Sequence, residues 1–122
     1  MREIKKIEKA GFYPQFTFEG WKTAFVTYSE NYSSPKVVKR HIATDEVFVL
    51  IKGKGVIYTI DDGKIVKTVM KKGMAYDIKQ NTYHHVRVSK KGVLFVVENS
   101  NTTKENSEER ALTEWEIKEM NK

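Results

Sequence analysis

The sequence predicts an all-β protein, a barrel or sandwich of short antiparallel strands. Three observations lead there. Runs rich in β-branched and aromatic residues recur, with turn signals roughly every ten residues. No amphipathic helix separates them, which argues against a parallel sheet with crossover helices. The run Glu46-Val47-Phe48-Val49-Leu50-Ile51 is apolar on both alternations after its first residue. In a strand Glu46, Phe48 and Leu50 share one face, and Val47, Val49 and Ile51 the other. Both faces of that strand therefore need cover. An N-terminal segment or a second copy of the chain would supply it, and a homodimer is the expectation.

The elements follow in order. Ile4, Ile7 and Ala10 fall on one side of a helix that Gly11 would stop, so residues 1–11 are read as a short helix, with an opening strand as the alternative. From Trp21 the chain reads as β, beginning with Thr23-Ala24-Phe25-Val26-Thr27-Tyr28. Asn31 to Pro35 is a turn and Val37 to His41 the next strand. Glu46 to Lys52 follows, closed by Gly53-Lys54-Gly55. Val56 to Ile60 and Ile65 to Met70 form a hairpin about Asp61-Asp62-Gly63-Lys64. Lys71-Lys72-Gly73 is a turn, and Met74 to Ile78, Tyr83 to Val88 and Val93 to Glu98 complete a barrel core over residues 21–98. Residues 99–111 are polar and aperiodic and read as a loop. Thr113-Glu114-Trp115-Glu116 has capping-box spacing, and Leu112 and Ile117 are placed as a hydrophobic staple, so a short helix is expected over 112–121.

Composition narrows the function classes. A chain of 122 residues suits one domain with one core. There is no cysteine, which excludes disulfides and thiolate chemistry, so any metal must be held by nitrogen and oxygen. No run is long and apolar enough to cross a bilayer, and no secretory signal opens the sequence. The expectation is a cytoplasmic protein without a membrane partner. The formal charge of +6 is spread over lysine pairs at strand ends, Lys5-Lys6, Lys71-Lys72 and Lys90-Lys91. Without a recognition helix or an aromatic RNA-binding strand, this reads as a solvated surface that favours an anionic small molecule rather than nucleic acid.

The residues with chemistry to offer are Lys39, His41, Glu46, Tyr83 and His84. Lys39 and His41 are two apart and point the same way in a strand, whereas His84 and His85 face opposite sides. In a rolled sheet His41, Glu46 and His84 can converge, and two imidazoles with a carboxylate suit divalent Fe, Mn, Zn, Ni or Cu. The plainer alternative makes His41 a half-buried strand histidine bonded to its neighbours. Glu46 has a second reading too, as a salt-bridge partner of Lys39 inside the barrel. Tyr83 and His84, with Lys39, are candidates for acid–base work, although Tyr83 also reads as packing. Phe48, Tyr58 and Tyr76 read as core or cavity lining, and His85 as a surface or interface residue.

Two spaced motifs then acquire a name. The chain resembles the cupins, whose first motif, Gly-x5-His-x-His-x3–4-Glu-x6-Gly, falls here on Ser33, Lys39, His41, Glu46 and Gly53. Their second motif, Gly-x5-Pro-x-Gly-x2-His-x3-Asn, falls on Gly73, Lys79, Asn81, His84 and Val88. The resemblance covers about residues 35–98 and implies a jelly-roll barrel, a double-stranded β-helix, in one domain spanning 1–122. It implies metal ligation by His41, Glu46 and His84, with Lys39 standing where a further histidine ligand is usual. Ligand contacts would come from Lys39, Phe48, Tyr58 and Tyr76. The activities it implies are diverse: a binding protein for a small polar or anionic molecule, a metal-dependent oxygenase, a sugar or keto-acid isomerase or epimerase, or a non-catalytic structural or sensory dimer.

Overall fold

Alternation along each strand decides what the protein buries. The computed structural model describes residues 1–122 except for the side chains of Asn31 and Ser33. The described residues form β1 (Phe12–Phe18), β2 (Trp21–Thr27), α1 (Glu30–Ser33), β3 (Val37–His41), β4 (Glu46–Lys52), β5 (Gly55–Asp61), β6 (Lys64–Val69), β7 (Ala75–Ile78), β8 (His84–Val88), β9 (Val93–Asn99), β10 (Ser107–Ala111) and α2 (Glu114–Met120). The strands make two five-stranded antiparallel sheets, ordered β1-β2-β9-β4-β7 and β10-β3-β8-β5-β6. Face to face they make the expected jelly roll.

The main core lies between the sheets. Ala24 and Val26 of β2, Phe48 and Leu50 of β4, and Leu94 and Val96 of β9 meet Ile57 of β5 and Val86 and Val88 of β8. A second cluster, Val38, Tyr58, Leu112 and Met120, lies on the outside of the second sheet, where α2 covers it. The expected capping box is present: Thr113 Oγ1 accepts from the Glu116 amide at 3.1 Å, and Glu116 Oε1 accepts from the Thr113 amide at 2.9 Å. Arg110 adds a fork to the same carboxylate at 2.9 and 2.8 Å. The β5–β6 turn has positive φ at both central residues, Asp62 at 51° and Gly63 at 77°, as a tight two-residue hairpin requires. Gly53 is held more strictly, because a Cβ on it would lie 2.7 Å from the Gly92 Cα.

Four expectations need correction. Residues 1–11 form neither helix nor strand. So short a segment has too few hydrogen bonds to offset nucleation unless a face is packed, and Ile4 stays exposed. β1 went unread because Pro14 interrupts its pattern, and the register indeed shifts between Pro14 and Thr17. One helical turn, α1, overlaps the predicted turn at Asn31 to Pro35; the side chain of Ser33, the first motif position, lies outside the described set. Of the predicted 99–111 loop, residues 107–111 are a strand, β10, paired with β3. Its sequence is polar, with Arg40 opposite Glu108 and Lys39 opposite Glu109, so no apolar alternation announced it.

Val47, Val49 and Ile51 share the outer face of β4, as alternation requires. Val47 and Val49 are partly exposed and Ile51 is 51% exposed. Val49 lies beside Phe95, which lies beside Phe25, the two rings 5.5 Å apart.

The α2 cap carries a testable consequence. Thr113→Ala should lower stability by about 1 kcal/mol in urea unfolding. The Arg110 fork, against the opposing effect of burial and with help from the Thr113 amide, holds Glu116 down to about 2. A depressed carboxylate contributes stability above its ordinary pKa and loses it as pH falls. Wild type should therefore lose stability between about pH 4.5 and pH 2 by more than Glu116→Gln does, as thermal melts across that range will show.

Candidate metal centre

Two strands from each sheet meet at one end of the barrel. β4 and β9 carry Glu46 and Glu98, which are cross-strand partners. β3 and β8 carry His41 and His84 on the facing sheet. β3 and β8 pair at Lys39 and His84, which puts the His41 face of β3 on the same side as His84. Inward parity explains the rest: Glu46 continues the face of Phe48 and Leu50, and Glu98 that of Leu94 and Val96.

The geometry is tight. His84 Nε2 lies 3.0 Å and His41 Nε2 3.3 Å from the same oxygen, Glu46 Oε1. Ligand atoms of His41, Glu46 and His84 all fall within 4.8 Å of one another. The far nitrogens are anchored, His84 Nδ1 at 2.9 Å from the Thr82 carbonyl and His41 Nδ1 at 2.8 Å from Ser107 Oγ. A carbonyl can only accept, so Nδ1 of His84 carries a hydrogen. In the neutral ring its Nε2 then presents a lone pair to a carboxylate. Such an arrangement is stable only if a proton or a cation sits between them.

Burial would raise Glu46, but the hydrogen bonds and charges of His41 and His84 bring it down to about 2. The same hydrogen bond raises His41 above the usual histidine range, against burial. Glu98 goes the opposite way: burial, then the neighbouring Glu46 charge, push it up to about 7. Tyr32, raised to about 12 by burial and by Glu46, stays protonated.

His41, Glu46 and His84 are thus brought together; of the other candidates Phe48 stands beside them, and Lys39, Tyr58, Tyr76 and Tyr83 do not. Lys39 does not enter the barrel to pair with Glu46. It stands at the rim, 59% exposed along its side chain and 3.6 Å from Glu109, because a lysine reaching inward would have to shed its hydration. Tyr83 is not near the imidazoles. Its ring stacks with Arg40 and Arg110 on the outside of the sheet, at 4.6 and 5.0 Å. Tyr58 does not line the interior either: it pairs with His85 while Thr59 pairs with His84, so it faces away, under α2. Phe48 is buried core, its ring 6.2 Å from that of His84. Tyr76 packs beside the core, and its hydroxyl accepts from the Lys71 amide at 2.9 Å. His85, expected at the surface or an interface, is half-buried and stacked on Tyr32 at 6.1 Å. Sequence reasoning missed Glu98, whose signal was its inward parity with Leu94 and Val96. It also missed Tyr32, for which no pattern existed.

No family model and no curated protein matches the sequence. Solved structures do. The chain is 18% identical to a cupin-2 domain protein from Shewanella frigidimarina, with a TM-score of 0.58 over 75% of this chain and 84% of that one. It is 12% identical to a cupin protein from Bacteroides fragilis, with a TM-score of 0.56 over 84% and 87%. It is 11% identical to a 3,4-ketoisomerase from Thermoanaerobacterium thermosaccharolyticum in complex with TDP, with a TM-score of 0.60, covering 70% of this chain but only 63% of that one.

The cluster and the rim should respond differently to mutation. In metal-free protein, His84→Ala strips a partner from a buried carboxylate and should lower the urea-unfolding free energy by about 3–5 kcal/mol. Lys39→Ala removes only an exposed pair and should change it by less than about 1 kcal/mol. Equal losses would mean that Lys39 belongs to the cluster after all. In strand order, sheet pairing and likeness to solved structures, the chain has the fold of a small cupin.

Proposed function

We propose that this protein binds a divalent metal through His41, Glu46 and His84 and presents it to a small polar or anionic molecule at the end of the barrel. The observation that carries the reading is the anchoring of both imidazoles. Each Nδ1 is taken by a protein group, and each Nε2 is aimed at one buried carboxylate oxygen. Metal-binding histidines are oriented by just such hydrogen bonds to the other ring nitrogen. The donor set fits divalent Fe, Mn, Zn, Ni or Cu, and two imidazoles with one carboxylate leave coordination positions open. A bound metal would supply Lewis acidity, or oxygen chemistry if it is iron. The chain itself supplies the rest: Thr82 and Ser107 fix the rings, the packed core keeps water away, and Lys39 at the rim favours an anion. The ketoisomerase of similar fold was solved with TDP, a small anion, which is consistent with that choice of ligand class.

A second reading has its own support. His41 is raised and Glu46 lowered by their mutual hydrogen bond, a pairing suited to proton transfer in a metal-free isomerase or epimerase. Elemental analysis of protein purified without added metal, repeated after dialysis against Fe(II) and Mn(II), separates the two. One metal per chain in wild type, and at least a tenfold loss of affinity in His84→Ala, is the result expected of a metal centre. Wild type that takes up no metal leaves the proton-transfer reading in its place.

The protein is also proposed to act as a homodimer through the outer face of the first sheet, where Phe25, Val47, Val49, Phe95 and Val97 are neighbours across three strands. Light scattering behind a sizing column should give twice the chain mass for wild type and a single chain mass for Val49→Lys. A monomeric wild type at micromolar concentration sinks the dimer.

A further inference from the structure

Glu98 has no role in the three-residue centre, yet it is the most conspicuous polar group beside it. It is 8% exposed. Its two oxygens have different surroundings. Oε1 is 3.6 Å from Lys22 Nζ, and Lys22 is itself held by the Thr102 carbonyl at 2.8 Å. Oε2 accepts no hydrogen bond among the described residues, although it is buried, and it lies 3.9 Å from His41 Nε2. A buried carboxylate oxygen without a partner calls for an explanation.

The spacing offers one. Donor atoms held about 2.1 Å from a single ion stand about 3.0–3.4 Å from one another at right-angled to tetrahedral arrangements. The His84–Glu46 and His41–Glu46 separations of 3.0 and 3.3 Å fall in that range, and the His41–Glu98 separation of 3.9 Å lies just outside it. A modest rotation of the Glu98 side chain closes the difference. We propose that Glu98 is the fourth protein ligand of the centre, binding through Oε2 while Lys22 holds Oε1. This rests on the metal-binding reading above. It assigns the vacancy left by Lys39 to a side chain from another strand and the opposite sheet. The set becomes two imidazoles and two carboxylates, which balance the charge of a divalent ion and favour Mn(II) and Fe(II) over softer ions. Lys22 is the positioning residue.

The test uses Mn(II) with the full chain. Titration calorimetry gives the affinity, and water-proton relaxation of the bound Mn(II) reports how many exchangeable waters touch the ion. Glu98→Gln should weaken Mn(II) binding at least tenfold and raise the relaxivity, because a water takes the place of the lost oxygen. Glu98→Asp keeps the charge but withdraws the oxygens by one methylene, and it should shift both readouts the same way; it serves if the Gln variant does not fold. Unchanged affinity, or weaker binding without added water, overturns the assignment and leaves the three-residue centre standing. Wild type that binds no Mn(II) overturns both.

Discussion

The buried carboxylate of Glu46, gripped by two imidazoles, is the interaction around which this end of the barrel is organised. Glu46 and Glu98 come from the first sheet and His41 and His84 from the second. The contact is therefore a polar clasp between layers whose main core is apolar. Burying an ionised carboxylate is costly unless partners surround it. That requirement fixes the spacing of β3 and β8 opposite β4 and β9 more narrowly than Leu94 and Val96 could by themselves.

The clasp also gathers donor atoms that could hold a cation. The backbone claims the outer nitrogen of His84, and Ser107 that of His41, so the inner nitrogens are turned toward Glu46. A bound metal ion would supply the positive charge that this buried carboxylate calls for. Lys39 does not compete for that place. It pairs across the rim with Glu109 of β10, a strand that sets acidic residues opposite the basic ones of β3. A substitution that looks hostile to metal in the linear motif thus removes one donor without putting a positive charge inside.

Much of this was legible beforehand. The strands from Val37 to Glu98 could be bounded within a residue or two because β4, β5, β8 and β9 carry apolar runs and most strands end at a glycine or charged turn. The union of His41, Glu46 and His84 could be read from spacing, since a jelly roll brings those positions to one mouth. What escaped had weak local signals. β1 is broken by Pro14, β10 is polar and lacks an apolar pattern, and Tyr83 and Tyr58 carry no mark of which face they occupy until their pairing register is known.

The sequence by itself determined the strand alternation, the α2 cap and the identity of the three inward donors, because these rest on periodicity and local hydrogen bonding. Only the tertiary structure decided that Lys39 stays at the rim, that Tyr58 and Tyr83 face outward, and that Glu98 lies beside the cluster. Those outcomes depend on which strands become neighbours and which face of each turns inward, and both are settled when two sheets close over one core and not before.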